Sequence, residues 1–246
     1  MSRTSQPPWA SGPGELLRHG LELLKQDSDV KRRLAMISID NAVELMIKTY
    51  LGLPYRVTGL KISRKDYQEF AESFPGLLEA LEKYASNKLS GIDLGEIEWF
   101  HRLRNQLYHQ GNGLTVERDK VEVYSELANL LFENLFGFRL VEPEDDATKL
   151  LGDFMAAWVD LERTTTKAAE PYYQSVNQRP MAPSGSIRVL RSNNLISDSD
   201  LSEINRLREI RNQVVHGAVD HKDVISKEIV KDLREISIYL SRRLGN

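Results

Sequence analysis

Cysteine is absent from the 246 residues. That removes disulfides, thiolate nucleophiles and cysteine-ligated zinc from consideration. Long apolar runs are lacking too: no stretch approaches the ~18 residues that a membrane-spanning helix needs. The opening stretch, MSRTSQPPWASGPGE, has no apolar core of the secretory kind. The expectation is a soluble, cytoplasmic protein with no membrane partner. An excess of either charge is also missing. Thirty-three Lys and Arg stand against 36 Asp and Glu, for a formal net charge of −3. Such a balance argues against a nonspecific nucleic-acid coat protein, but leaves enough cations for a local basic cleft. Phosphate-binding glycine loops, dinucleotide fingerprints, the His-Glu-x-x-His zinc pattern and the nucleophile elbow do not occur. No cofactor and no metal site are expected.

Apolar residues at helical spacing are plentiful, whereas alternation at period two is scarce. The fold class predicted is all-α, with antiparallel helices joined by short and medium loops. Residues 1–13, rich in Ser, Pro and Gly, read as a loose lead-in. A first helical bundle is expected over 14–138, a linker over 139–146 and a second bundle over 147–246. Helices are predicted at 15–26, 29–51, 66–73, 75–86, 93–109 and 116–136 in the first half. The second half should hold helices at 147–169, 186–192, 199–216 and 222–243, with a proline-rich connection over 171–185. The helix over 29–51 has apolar residues around most of its circumference, the pattern of a central buried helix.

One internal repeat organises the chain. Asp93 to His109 reads DLGEIEWFHRLRNQLYH, and Asp200 to His216 reads DLSEINRLREIRNQVVH. A constant offset, Asp93 to Asp200, aligns the two without a gap. Arg104 then pairs with Arg211, Asn105 with Asn212, Gln106 with Gln213 and His109 with His216. The apolar slots agree as well: Phe100 with Leu207, Leu103 with Ile210 and Leu107 with Val214. Four matched positions in a chain of this length arise by chance on the order of 10⁻³ of the time. Each copy is followed by a glycine-containing turn and a long amphipathic helix.

Arg-Asn-x-x-x-His is a motif with chemical content. On a helix Asn and His share a face, and Arg lies about 140° around from His, within reach of an anion beside the imidazole. Both histidines are predicted at the C-terminal end of a helix, where the dipole favours a cation. Taken singly, each would be an ordinary histidine satisfying a helix-terminal carbonyl. As a matched pair with Arg and Asn they suit RNA cleavage. That reaction needs a base for the 2′-hydroxyl proton, an acid for the departing 5′-oxygen, and positive charge on the phosphate. Two imidazoles and two guanidiniums supply all three. Each motif is half a site, and two facing across a pseudo-twofold axis make a whole one.

The two Arg-Asn-Gln-x-x-His segments resemble the signature of the HEPN superfamily. The segment Ile39-Asp40-Asn41-Ala42-Val43-Glu44-Leu45 is similar to that family's central helix, and Trp158-Val159-Asp160-Leu161-Glu162 is a weaker equivalent. The resemblance implies two HEPN-like bundles packed as an intramolecular pseudo-dimer. It implies a metal-independent endoribonuclease of the toxin or anti-phage kind, with RNA as substrate. Arg104, Asn105, His109, Arg211, Asn212 and His216 would be its catalytic residues. A cognate antitoxin or regulatory protein and a homodimer are the partners it suggests. Other members of the superfamily are non-catalytic nucleotide-binding, RNA-binding or scaffold modules, which is the alternative reading.

Further residues are candidates by position. His101 and Arg208 occupy the same slot of the repeat and would line an RNA-binding cleft or a solvated face. Tyr108 would stack on a base or pack in the core. Asp40 and Glu44 are carboxylates in an apolar helix, and a buried carboxylate needs a partner. The expectation is that Glu44 orients Arg104 and that Glu162 does the same for Arg211.

Overall fold

The computed structural model describes residues 7–26, 28–109, 115–140, 146–173, 183–216 and 218–244. Among these residues all regular structure is helical and no strand occurs. The chain divides into two compact units, Met1–Glu142 and Pro143–Asn246. The expected linker at 139–146 falls largely outside the described residues.

The first unit contains α1 (Ser11–Lys25), α2 (Asp29–Gly52), α3 (Tyr55–Thr58), α4 (Arg64–Phe70), α5 (Phe74–Ala85), α6 (Leu94–His109) and α7 (Arg118–Phe136). Helix α2 is its axis and touches α1, α5, α6 and α7. Ser28 starts it by accepting the Lys31 N–H at 3.3 Å, an N-cap that satisfies one orphan donor. Its apolar residues are buried on several sides: Ala35, Met36, Ile39, Ala42, Val43, Met46 and Ile47 have no exposed surface. Pro54 lies just beyond it and cannot continue the helix.

The expected loose lead-in over 1–13 is corrected in the residues described. Pro8–Ala10 form a 3₁₀ turn and α1 begins at Ser11, ahead of the predicted Glu15. Ala10 and Pro13 are buried. Proline is tolerated there because the first-turn N–H groups have no intrahelical partner to lose. Segment 55–65, which has no clear pattern in the sequence, holds the single turn α3, closed by Gly59 at φ 73°.

The second unit contains α8 (Asp146–Tyr173), α9 (Pro183–Ser192), α10 (Asp198–Val215), α11 (His221–Val224) and α12 (Lys227–Arg243). Helix α8 packs on α9, α11 and α12, and α10 packs on α9 and α12. Several helix boundaries depart from expectation, and the expected connection over 171–185 is corrected at both ends, since α9 begins at Pro183 rather than 186 and α8 runs to Tyr173. Helix α8 passes the predicted end at Ala169 and carries Pro171 in its last turn. The predicted helix over 222–243 is broken in two, because Ser226 turns extended and caps α12 by accepting the Ile229 N–H. Helix α10 begins with a capping box. Ser197 accepts the Asp200 N–H, and Asp200 accepts the Ser197 N–H at 2.7 Å. No described helix is long and apolar enough to cross a membrane.

Glycine has a packing role where α1 crosses α2. A Cβ placed on Gly20 would lie 2.7 Å from Ile39 Cγ1 and 3.2 Å from the Ile39 backbone nitrogen. Gly20→Val should therefore destabilise the protein by ~1–3 kcal/mol through overpacking, read as a lower urea midpoint. An unchanged or raised midpoint would show that the two helices are not held in close approach.

Candidate functional site

Three helices of the first unit meet at one carboxylate. Asp40, on α2, has no exposed surface. It lies one helical turn before Glu44 on a helix whose other inward residues are mostly apolar. Arg104, on α6, donates Nε–H to Asp40 Oδ2 at 2.6 Å. His101, one turn earlier on α6, places Nδ1 3.0 Å from the same oxygen and 3.3 Å from Oδ1. Tyr124, on α7, donates its hydroxyl to Asp40 Oδ1 at 2.8 Å. Burial, and next the neighbouring Asp40 charge, hold the Tyr124 phenol well above its usual range, so it stays a donor. The requirement that a buried carboxylate find partners is met from α6 and α7 together.

Ring contacts hold this cluster from the sides. His101 stacks on Phe74 of α5, with centroids 3.8 Å apart and planes 7° apart. Tyr124 stacks on Phe100 at 4.4 Å. The remaining edges of the Arg104 guanidinium meet Asn105 Oδ1 at 2.8 Å and Asn41 Oδ1 at 3.4 Å. A guanidinium has more donors than these bonds use. Among the described residues, Nη1 keeps one N–H without an acceptor, and the side chain retains 16% of its exposure. Asn105 therefore acts here on Arg104, its motif neighbour.

The expected pairing of Glu44 with Arg104 is secondary. Glu44 lies 3.8 Å from Arg104 Nη2, but its closest partner is Lys48 Nζ at 2.6 Å. It is 29% exposed whereas Asp40 is fully buried. Asp40 is the residue aimed into the α2–α6–α7 junction, and Glu44 stands at its rim.

In the second unit the same slots are filled by different chemistry. Arg211 is buried to 4% exposure, with its guanidinium carbon 5.8 Å from the Trp158 ring centroid. Trp158 donates Nε1–H to Glu162 Oε1 at 2.6 Å, and Glu162 is itself buried. Asp160, its neighbour in the sequence, is exposed. Arg208 takes the slot of His101. Burial pulls its guanidinium below the usual range, the Glu162 charge opposes that, and Arg211 adds to it. Thus a buried carboxylate on a long helix lies beside a residue of the repeat in each unit: Asp40 meets His101 and Arg104, and the Glu162 charge acts on Arg208.

The motif histidines sit at helix ends. His109 is the last residue of α6; its side chain and that of Tyr108 lie outside the described residues. His216 caps α10, with its N–H donating to the Asn212 carbonyl at 2.9 Å, and its side chain is exposed. Tyr124 and Phe74 are absent from the set that the sequence suggests. A tyrosine in the apolar stretch of α7 is a usable signal, since a buried hydroxyl needs an acceptor; Phe74 offers none. Among the described residues no group of His, Asp and Glu could hold a metal ion.

Asp40 is buried and its partner Arg104 part-buried, and removing the partner of a buried charge typically costs up to ~3–5 kcal/mol. Asp40→Ala should lose about that much in chemical denaturation. Tyr124→Phe removes a hydrogen bond to a charged acceptor and should cost ~1.5–3 kcal/mol. Near-neutral effects in both variants would mean that the carboxylate is not the anchor of the three helices.

Comparison with protein-family models, with curated proteins and with solved structures gives no significant match.

Proposed function

We propose that the protein is a metal-independent endoribonuclease of the HEPN type, with the two Arg-Asn-x-x-x-His motifs acting as one composite site in a pseudo-dimer of its two halves. The repeated motif is the observation that carries this reading. It is supported by the place of each histidine at a helix end and by a buried carboxylate beside Arg104 in one copy and beside Arg208 in the other. In this reading the 2′-oxygen attacks phosphorus as its proton passes to a base. The bond to the 5′-oxygen breaks as that oxygen takes a proton from an imidazolium. The products are a 2′,3′-cyclic phosphate and a free 5′-hydroxyl. Arg104 supplies a donor to the phosphate. A toxin or anti-phage effector, held in check by a regulatory protein, is the setting this chemistry suits.

The burial of Arg211 favours a second reading. A guanidinium that is covered makes a poor phosphate contact, so the composite site would lack its second phosphate donor, and the protein would bind RNA or a nucleotide, or serve as a scaffold, without cleaving.

Purified protein incubated with total RNA in excess EDTA decides between them. Under the first reading wild type cleaves, and His109→Ala and His216→Ala each lose ~10²-fold or more in rate. RNA retention without cleavage by wild type supports the second. Cleavage that EDTA abolishes contradicts the metal-independent mechanism.

A further inference from the structure

His101 lies outside both motifs, yet its surroundings define its protonation geometry closely. Its Nδ1 faces Asp40, whose carboxylate also accepts from Arg104 and Tyr124. A carboxylate in that role offers only acceptors, so the His101 nitrogen facing it must carry the hydrogen. The neutral ring is then the Nδ1–H tautomer, and its lone pair is on Nε2. Among the described residues Nε2 has no hydrogen-bond partner. One ring face is covered by Phe74 at 3.8 Å, and the side chain keeps 14% of its exposure. An imidazole oriented at one nitrogen by a buried carboxylate, with the other free to accept, is the arrangement of an oriented general base.

Its neighbour supplies the second requirement. Arg104 ends on the same Asp40 oxygen and retains a donor on Nη1. One carboxylate therefore orients both a proton acceptor and a phosphate donor on the same face of α6. The second half lacks this pair. The equivalent slot holds Arg208, which cannot accept a proton.

Resting on the ribonuclease reading, we propose that His101 is a third catalytic imidazole, taking the ribose 2′-hydroxyl proton at Nε2, with Asp40 as its positioning residue. The 2′-oxygen forms its bond to phosphorus, the phosphorus–5′-oxygen bond breaks, and the 5′-oxygen takes its proton from a motif histidine. The motif histidines are thereby left with the acid role and with positive charge on the phosphate. The two halves become unequal, with proton acceptance confined to the first.

The test is His101→Asn. Its amide can donate to Asp40 as Nδ1–H does, and it has no atom at the Nε2 position. Single-turnover cleavage is measured on an RNA oligonucleotide and on the same oligonucleotide with sulfur in place of the scissile 5′-oxygen. A thiolate leaves without a proton, so a missing acid is rescued by sulfur and a missing base is not. The expected result is a loss of ~10²-fold or more on both substrates, with substrate affinity retained. A wild-type rate, or recovery on the sulfur substrate, overturns the assignment. Should the variant fail to fold, the nitrogen chemical shifts of His101 in the wild-type protein decide: a hydrogen on Nε2 of the neutral ring overturns the proposal. Failure of the ribonuclease reading itself looks different, because wild type and all variants would then be equally inactive, and the catalytic role of His101 would fall with it.

Discussion

A carboxylate with no exposed surface is expensive to bury, and the structure offsets that cost at Asp40 with donors from two other helices. The guanidinium of Arg104 neutralises it, His101 and Tyr124 complete its coordination, and Asn105 and Asn41 hold the far edge of the guanidinium. Moving any one of α2, α6 or α7 would leave a charge or a hydroxyl unsatisfied in a packed interior. The rotation of α6 about its own axis is therefore set from within. A polar hub of this kind contributes specificity of arrangement as much as stability.

The second unit reaches a related end by other means. Glu162 occupies the role of the carboxylate on the long helix, and an indole takes one of its bonds. Arg211 is covered and stands over Trp158. The two copies of the motif share residue types while differing in environment. Arg104 is part-exposed, whereas Arg211 is enclosed.

Helix periodicity made most elements legible, and the buried character of α2 could be read from apolar residues around its circumference. Boundaries are less legible where one residue outweighs a pattern: Pro13 has the look of loop chemistry but stands in a first turn, and Ser226 cuts a continuous apolar stripe because its side chain caps α12. The motif residues stood out through repetition. Their anchor did not, because Asp40 meets His101, Arg104 and Tyr124 across separations of 61, 64 and 84 residues. Glu44 and Asp40 are both carboxylates on α2, one turn apart. Only packing against α6 and α7 decides which of them faces inward.

Coupling between Asp40 and Arg104 is the most direct test of this account. A double-mutant cycle with Asp40→Asn and Arg104→Gln, read by chemical denaturation, should give an interaction energy near the upper part of the ~0.5–3 kcal/mol range seen for contacting residues. Additivity within about 0.5 kcal/mol would mean that the two residues contribute independently, and that the carboxylate does not organise the site.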